Sequence, residues 1–296
     1  MSQAAVRALH GLIDMHTHSG PSPFPRRFLH HEAARDGWDR LGMRAMVAKS
    51  HHHNTVMDIL AQADRLTDVP TQVFGGIALN SMVGGINPHA VRMCLNMGGK
   101  VVWFPTISSG RHIECHPEGG DFPTATIPLT LERIDVVTPG GDLTAATREV
   151  LSIIRESGAV LNGGHMYPEY IRRVFQEANE LGMRRLVISH PNFVIGAEPQ
   201  LCDEYVRMGA FIEHEIGMYR PGLGDALFPV ETLMEWISRH GPDHVVLASD
   251  LGQRNQPPPV DAWIATADAL LDLGLPEKDL QQMVVHNPAY LLQLDV

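Results

Sequence analysis

The sequence predicts an α/β fold, specifically a (β/α)8 barrel, on three observations. Eight short apolar, β-branched runs alternate with longer segments of helical spacing along 296 residues. Near-continuous apolar strands alternating with helices read as parallel βα units covered on both faces. No Gly-rich dinucleotide fingerprint follows the first run, which disfavours an open doubly wound sheet.

The strand runs are 11–15, 44–48, 72–79, 100–104, 159–162, 185–189, 210–213 and 245–249. Helical spacing predicts helices over 31–41, 56–66, 88–97, 144–157, 169–181, 200–208, 230–240 and 261–273. Gly42, Gly98, Gly158, Gly182, Gly209 and Gly274 stand where helices should stop, because glycine takes the left-handed cap without strain. The whole chain, 1–296, reads as a single barrel, a length that α/β barrels often reach as one domain. The exception to the alternation is 105–142, rich in Gly, Pro, His and Thr, which reads as an insertion after the fourth strand. Ile134–Thr138 offers a small strand pair within it. A segment of this length is either a lid over the barrel mouth or a surface insertion.

Composition narrows the function classes. With 44% hydrophobic and 19% charged residues the chain can build a sizeable core. A formal net charge of -11 disfavours nucleic acid as a partner, since such proteins present a basic face. Cys94, Cys115 and Cys202 are odd in number and far apart, so no disulfide framework is expected and a reducing, cytoplasmic setting fits. Neither a signal peptide nor an apolar run long enough to span a membrane is visible. The expected partner is therefore a small-molecule substrate, with a homo-oligomer open. Lysine occurs only at positions 49, 100 and 278, so arginine supplies most positive charge.

Active sites of such barrels lie at the C-terminal ends of the strands, and here those ends are unusually polar. The first strand runs into His16-Thr17-His18, whose period-two spacing puts both imidazoles on one face. The second ends in Lys49, followed by Ser50-His51-His52-His53-Asn54. The fifth ends in His165, the sixth in His190, the seventh in Glu213-His214-Glu215 and the eighth in Asp250. Neutral imidazoles with a carboxylate suit a divalent transition metal.

In Asp14-Met15-His16-Thr17-His18, His165, His190, Asp250 and the terminal Asn287-Pro288-Ala289, the chain resembles the amidohydrolase superfamily of metal-dependent barrels. Gly20-Pro21-Ser22-Pro23 and the Lys-Ser-His-His run resemble an uncharacterised branch of it. The resemblance implies that His16, His18, His165 and Asp250 are metal ligands, and that His190 is a further ligand or a base beside the metal. It also implies that Asp250 takes a proton from the attacking water. Members with two metals bridge them with a carboxylated Lys or a Glu from strand three or four, but here strand four ends in Trp103-Phe104-Pro105-Thr106. Lys49 is then a bridging carbamate, a cation for the substrate, or a structural group. The implied cofactor is one or two divalent ions, zinc first, with manganese or iron as alternatives.

Arg26, Arg27, Arg111 and Arg254, with Arg220, lie after strands or in the insertion. Paired guanidinium donors suit carboxylate or phosphate, so the expected substrate is small and anionic. Trp103, Phe104, Phe193 and Tyr219 offer either an apolar wall or ordinary packing. The reading that follows is a hydrolase acting on an amide, lactone or ester. A metal-dependent decarboxylase or other lyase and a catalytically silent metal-binding barrel are the alternatives.

Overall fold

The computed structural model describes residues 3–116 and 132–295. By proximity of its backbone the chain forms two units. The first comprises Met1–Lys49, Met57–Phe74 and Glu213–Val296, and the second Ser50–Val56 and Gly75–Ile212.

The first unit opens with α1 (Gln3–Ala8), β1 (Ile13–Thr17), α2 (His30–Leu41) and β2 (Ala45–Ala48). After α3 (Thr55–Ala61) and α4 (Ala63–Leu66) comes β3 (Gln72–Phe74). Strands β1, β2 and β3 pair in parallel in that order. The register advances three residues in β1, from Asp14 to Thr17, against two in β2. A bulge of this kind re-aims the side chains around it, here Met15 and His16. Helix α2 buries His30, Ala34, Gly37 and Leu41, a stripe at helical spacing, and stops where Gly42 turns left-handed at φ 60°.

The second unit carries β4 (Gly76–Ala78), α5 (Pro88–Asn96), β5 (Val101–Trp103), α6 (Gly110–Cys115), α7 (Ala145–Ser157) and β6 (Val160–Asn162). It continues with α8 (Pro168–Glu180), β7 (Leu186–Ser189), α9 (Pro199–Arg207) and the start of β8 (Ala210–Glu215). Strands β4 to β7 pair in parallel in sequence order. Their side chains are buried throughout, as strands covered on both faces require. Helix α8 begins on a proline at its first position and buries Ile171, Val174, Phe175 and Ala178. Helix α7 starts on Thr144, whose hydroxyl accepts from the Thr147 N–H, and ends on left-handed Gly158.

The first unit resumes with the end of β8, then α10 (Val230–His240), β9 (Val245–Ala248), α11 (Pro259–Asp272), α12 (Glu277–Gln281) and α13 (Asn287–Leu292). All eight expected strand runs are present, but the third is two strands, β3 and β4, separated by Gly75. Gly76 follows because β5 approaches too closely for a side chain; a Cβ there would lie 2.1 Å from the Val101 carbonyl oxygen.

Two expectations about 105–142 change. It contains a helix, α6, which six residues are too few to announce by periodicity; Ser109 caps it by accepting from the His112 N–H. The small strand pair reduces to one bridge, Val137 with Leu143, closed by a Thr138 N–H bond to the Asp142 carbonyl. The bulk of the expected lid, 117–131, lies outside the described residues. Among the described residues no helix is long and apolar enough to cross a membrane, and no disulfide joins the cysteines.

In the first unit, β1 is tied to β9 through Asp14. Its buried carboxylate accepts from the Ser249 N–H (3.0 Å), the His16 N–H (3.1 Å) and the Trp263 indole N–H (3.1 Å). Asp14→Ala strands three buried donors and should cost on the order of 3 kcal/mol. Urea unfolding of the variant checks this, and a loss below the error of the measurement would contradict it.

Candidate metal centre

Three strand ends of the first unit, those of β2, β8 and β9, meet His16 on β1. The ring lies in β1, fully buried, with its two nitrogens facing different partners. Nδ1 lies 3.2 Å from Glu213 Oε1 and 3.3 Å from Glu215 Oε1. Nε2 lies 2.9 Å from Lys49 Nζ and 3.2 Å from Asp250 Oδ1. Burial and Lys49 oppose protonation of this ring, but Asp250 and Glu213 outweigh them and hold the imidazole well above its ordinary value; with a cation at Nε2 the ring would be neutral and keep its proton on Nδ1, toward the glutamates.

His18 repeats this arrangement one step along the chain. Its Nδ1 donates to the Lys49 carbonyl at 3.1 Å, which leaves Nε2 with a bare lone pair. That lone pair faces Asp250 Oδ1 at 2.8 Å. A carboxylate oxygen and an imidazole lone pair repel at this distance unless a proton or a metal cation lies between them. Both His16 Nε2 and His18 Nε2 thus aim at one carboxylate oxygen, and the His16, His18 and Asp250 ligand atoms all lie within 4.8 Å of one another. Two imidazoles and a carboxylate are a zinc-type donor set, so the residues present fit a divalent ion. His16 with Glu213 and Glu215 makes a second such group.

The backbone holds this geometry. The His18 N–H donates to the Leu251 carbonyl and the Asp250 N–H to the His16 carbonyl, each at 2.8 Å. Asp250 itself sits at φ 53°, a left-handed conformation uncommon outside glycine, while its side chain keeps 22% of its surface exposed. Gly252 lets the chain pass; a Cβ there would meet the His18 carbonyl oxygen at 2.4 Å.

Electrostatics follow from burial. Desolvation lowers the Lys49 ammonium from its ordinary value, against the pull of Asp250, Glu215 and Glu213. Burial holds the Glu215 carboxyl well above the usual range. It also opposes ionisation of Asp250, but His16 and His18 outweigh it and hold that carboxyl well below its usual range.

Of the arginines, Arg26 comes toward this group. Burial pushes it down to about 10 against the attraction of Asp250, so it is cationic at neutral pH. Its Nε is buried with no hydrogen-bond partner among the described residues. Arg27 donates to the Arg254 and Gln256 carbonyls, Arg254 is exposed, and Arg220 holds the Asp225 carbonyl and the Gln256 side chain. Arg111, in the second unit, donates to the carbonyls of Val194 (2.8 Å) and Ile195 (3.2 Å). These four are engaged in backbone ties or lie at the surface, whereas Arg26 keeps donor capacity.

His165 and His190 belong to the second unit, with ring centroids 4.8 Å apart. His190 follows β7 at φ 34°. His51 Nδ1 pairs with Thr106 Oγ1 at 2.8 Å, which also accepts from Asn80 Nδ2 at 2.7 Å. His53 pairs with Ser50 Oγ. Trp103 and Phe104 are fully buried core, and so is Tyr219 in the first unit. Phe193 packs its ring 5.8 Å from that of His190. Glu213 and Glu215 received no role from sequence reasoning. The available signal was their own alternation, which puts two carboxylates on one face of a strand and His214 on the other.

A model for a family of unknown function, DUF6282, matches residues 11–213, and the chain belongs to that family. A search of curated proteins finds no match. Among solved structures, an amidohydrolase from Pseudomonas aeruginosa superposes with a TM-score of 0.66 at 14% identity, covering 99% of this chain and 98% of that one. A lactonase from Listeria monocytogenes gives 0.59 at 15% identity, over 98% of this chain and 97% of that one. An organophosphorus hydrolase from Deinococcus radiodurans gives 0.53 at 17% identity, over 97% and 93%. The fold is that of the amidohydrolase-type (β/α)8 barrels, as the strand and helix alternation predicts.

Burial pushes the His18 imidazole down to about 3 from 6.5. Between those values the unfolded chain binds a proton that the native ring refuses. His18 therefore withdraws stability from the metal-free protein as pH drops from 6.5 toward 3. Asp250, whose carboxyl is depressed, adds a loss that begins as pH falls into the ordinary carboxylate range, whereas His16, held well above its ordinary value, withdraws stability as pH rises above 6.5. Denaturation midpoints against pH for wild type and His18→Asn check the His18 contribution, and a wild-type curve that falls no more steeply than the variant's between neutrality and the carboxylate range would contradict it.

Proposed function

We propose that this protein is a metal-dependent hydrolase that opens an amide, lactone or ester bond in a small anionic molecule. The observation that carries the reading is the pair of imidazole Nε2 atoms facing one Asp250 oxygen with their Nδ1 atoms already engaged. Charge supports it. Around His16 three carboxyl groups, Glu213, Glu215 and Asp250, face one ammonium, Lys49, and burial holds Glu215 toward its neutral form, which a bound divalent cation would allow to ionise. A buried excess of negative charge is costly unless a cation balances it.

In this reading His16, His18 and Asp250 hold a zinc ion, while the resemblance implies His165 as a ligand and His190 as a further ligand or a base beside the metal. A divalent ion so held supplies Lewis acidity and lowers the pKa of water to about 7. Asp250, ionised at neutral pH, accepts the proton of the attacking water and returns it to the leaving nitrogen or oxygen. General base assistance of this kind contributes about 10²–10⁴ in rate. Glu213 accepts from His16 Nδ1, which fixes the tautomer and makes the ring a stronger donor through Nε2. Arg26 binds the anionic group of the substrate. The fold of the lactonase and of the organophosphorus hydrolase described above fits the same chemistry, in which water attacks a carbonyl or phosphoryl centre.

Lys49 is the hinge between one metal and two. An amine whose protonated form burial disfavours reacts with carbon dioxide, losing a proton to give a carbamate that can bridge two ions. The strand-four end, Trp103 and Phe104, is buried apolar core with no bridging group, and this favours decarboxylation at a single metal as the second reading.

Elemental analysis by plasma mass spectrometry tests both. Hydrolysis through a bridged pair predicts about two equivalents, falling toward one in Lys49→Ala and lost in His16→Ala. One equivalent unchanged by Lys49→Ala, with carbon dioxide released and no water consumed, would establish the lyase. No metal under any loading would end the enzymatic reading. Arg26→Ala should raise KM for carboxylate-bearing esters or lactones by about tenfold or more, with kcat little changed, and leave neutral analogues unaffected. Equal effects on both substrate classes would remove Arg26 from anion binding.

A further inference from the structure

The segments that follow β1 and β9 pair through an antiparallel bridge, Arg26 with Gln253. The Arg27 N–H donates to the Gly252 carbonyl at 2.7 Å and the Arg254 N–H to the Pro25 carbonyl at 3.3 Å, one residue to either side of the bridge. Arg26 and Gln253 are thus a non-hydrogen-bonded pair, the kind whose side chains stand closest, on one face of the ribbon. Arg27, on the other face, clamps the ribbon by donating to the Arg254 and Gln256 carbonyls.

The paired side chains do not satisfy each other. Among the described residues, Arg26 Nε and Gln253 Oε1 are both buried without a hydrogen-bond partner. One is a donor and the other an acceptor, and a buried polar atom left unpaired is costly until another group meets it. The direction of the Gln253 amide is fixed by its neighbour: Nε2 donates to the Asp250 carbonyl at 3.1 Å, and a carbonyl only accepts. The free end is therefore the oxygen. Both residues keep part of their surface exposed, and both are tied to Asp250, Arg26 through its charge and Gln253 through the backbone. The pair thus lies beside the proposed metal centre, where a ligand enters by parting two side chains and not two strands.

We infer that Gln253 is a specificity-determining residue whose Oε1 accepts a hydrogen bond from an N–H or O–H group that the substrate carries beside the anion bound by Arg26. The substrate is then a small acid with a donor next to its carboxylate. A site built to pair with a substrate donor discriminates sharply against the analogue lacking it, because the acceptor is then left buried and unpaired. The bond from Gln253 Nε2 to the Asp250 carbonyl keeps this acceptor in step with the turn that carries Asp250. The inference rests on the reading of Arg26 as the anion-binding residue.

Titration calorimetry with two matched pairs of carboxylates tests it, on zinc-loaded and on metal-free protein. N-benzoylglycine and benzoylpropanoate differ by an N–H against a methylene; mandelate and phenylacetate differ by one hydroxyl. At least one donor-bearing acid should bind wild type about tenfold tighter than its partner, the first pair identifying an amide donor and the second a hydroxyl. Gln253→Met, close in shape and without the acceptor, should erase the preference while the donor-free acids bind as they do to wild type. Gln253→Glu keeps an acceptor and adds negative charge, so it should weaken all four acids and retain the preference. It decides the matter if circular dichroism shows Gln253→Met unfolded. A wild type without preference, or a preference that Gln253→Met leaves intact, would overturn the proposal and leave Arg26 as the anion site. Failure of every acid to bind either form of the wild type would overturn it together with the role of Arg26. A wild type that takes up no zinc would instead overturn the proposed function, and the metal-free titrations would still decide what Gln253 does.

Discussion

The approach of His18 Nε2 to Asp250 Oδ1 at 2.8 Å is the contact on which the rest of the first unit depends. It requires the end of β1 and the turn after β9 to lie side by side in one register. Three backbone devices provide that register. The His16 carbonyl accepts from the Asp250 N–H and the Ser249 hydroxyl, the Leu251 carbonyl accepts from His18, and the Asp14 carboxylate accepts from Ser249. Left-handed Asp250 then turns its side chain back toward the two imidazoles. A strained backbone at a polar strand end persists only where its surroundings over-determine it, and here they do.

Burial of charge is the second constraint, and it explains the division of labour among the carboxylates. Asp250 keeps partial exposure and two imidazole neighbours, and stays ionised. Glu215, fully buried, is held toward its neutral form. Lys49 is buried among all three carboxylates and yet loses basicity to desolvation. Removing one partner from such a set leaves an uncompensated charge, so these residues act as a unit rather than as independent contributors. Arg26 differs from the other arginines in having donor capacity left over.

In the second unit the same logic is carried by hydrogen bonds between neutral groups. Asn80 accepts from the Thr106 and Ser108 N–H groups and donates to Thr106 Oγ1 and the His51 carbonyl, locking the chain after β5 against the histidine run. Ser109, Arg111 and His112 extend this lattice through α6 to His165 and the turn after His190. A stretch that reads in sequence as irregular is thus ordered over its described portion by side chains bonding to backbone.

What the sequence determined by itself was whatever depends on local periodicity. The strand runs, the glycine-stopped helices and the polar strand ends at His16, His18, Lys49, His165, His190 and Asp250 were legible, because apolar alternation and helix caps are written within a few residues. The break at Gly75 was not legible, and neither was the need for a glycine at Gly76, which answers to the close approach of β5 and not to its own neighbours. Helix α6 was hidden by being shorter than a helical period can reveal. The surroundings of the arginines, of Glu213 and Glu215 and of His112 were decided only by tertiary structure. Each depends on which distant carbonyl, imidazole or carboxylate stands opposite, and on how much water burial removes. Residue type states what a side chain can donate or accept; only the folded chain decides what it meets.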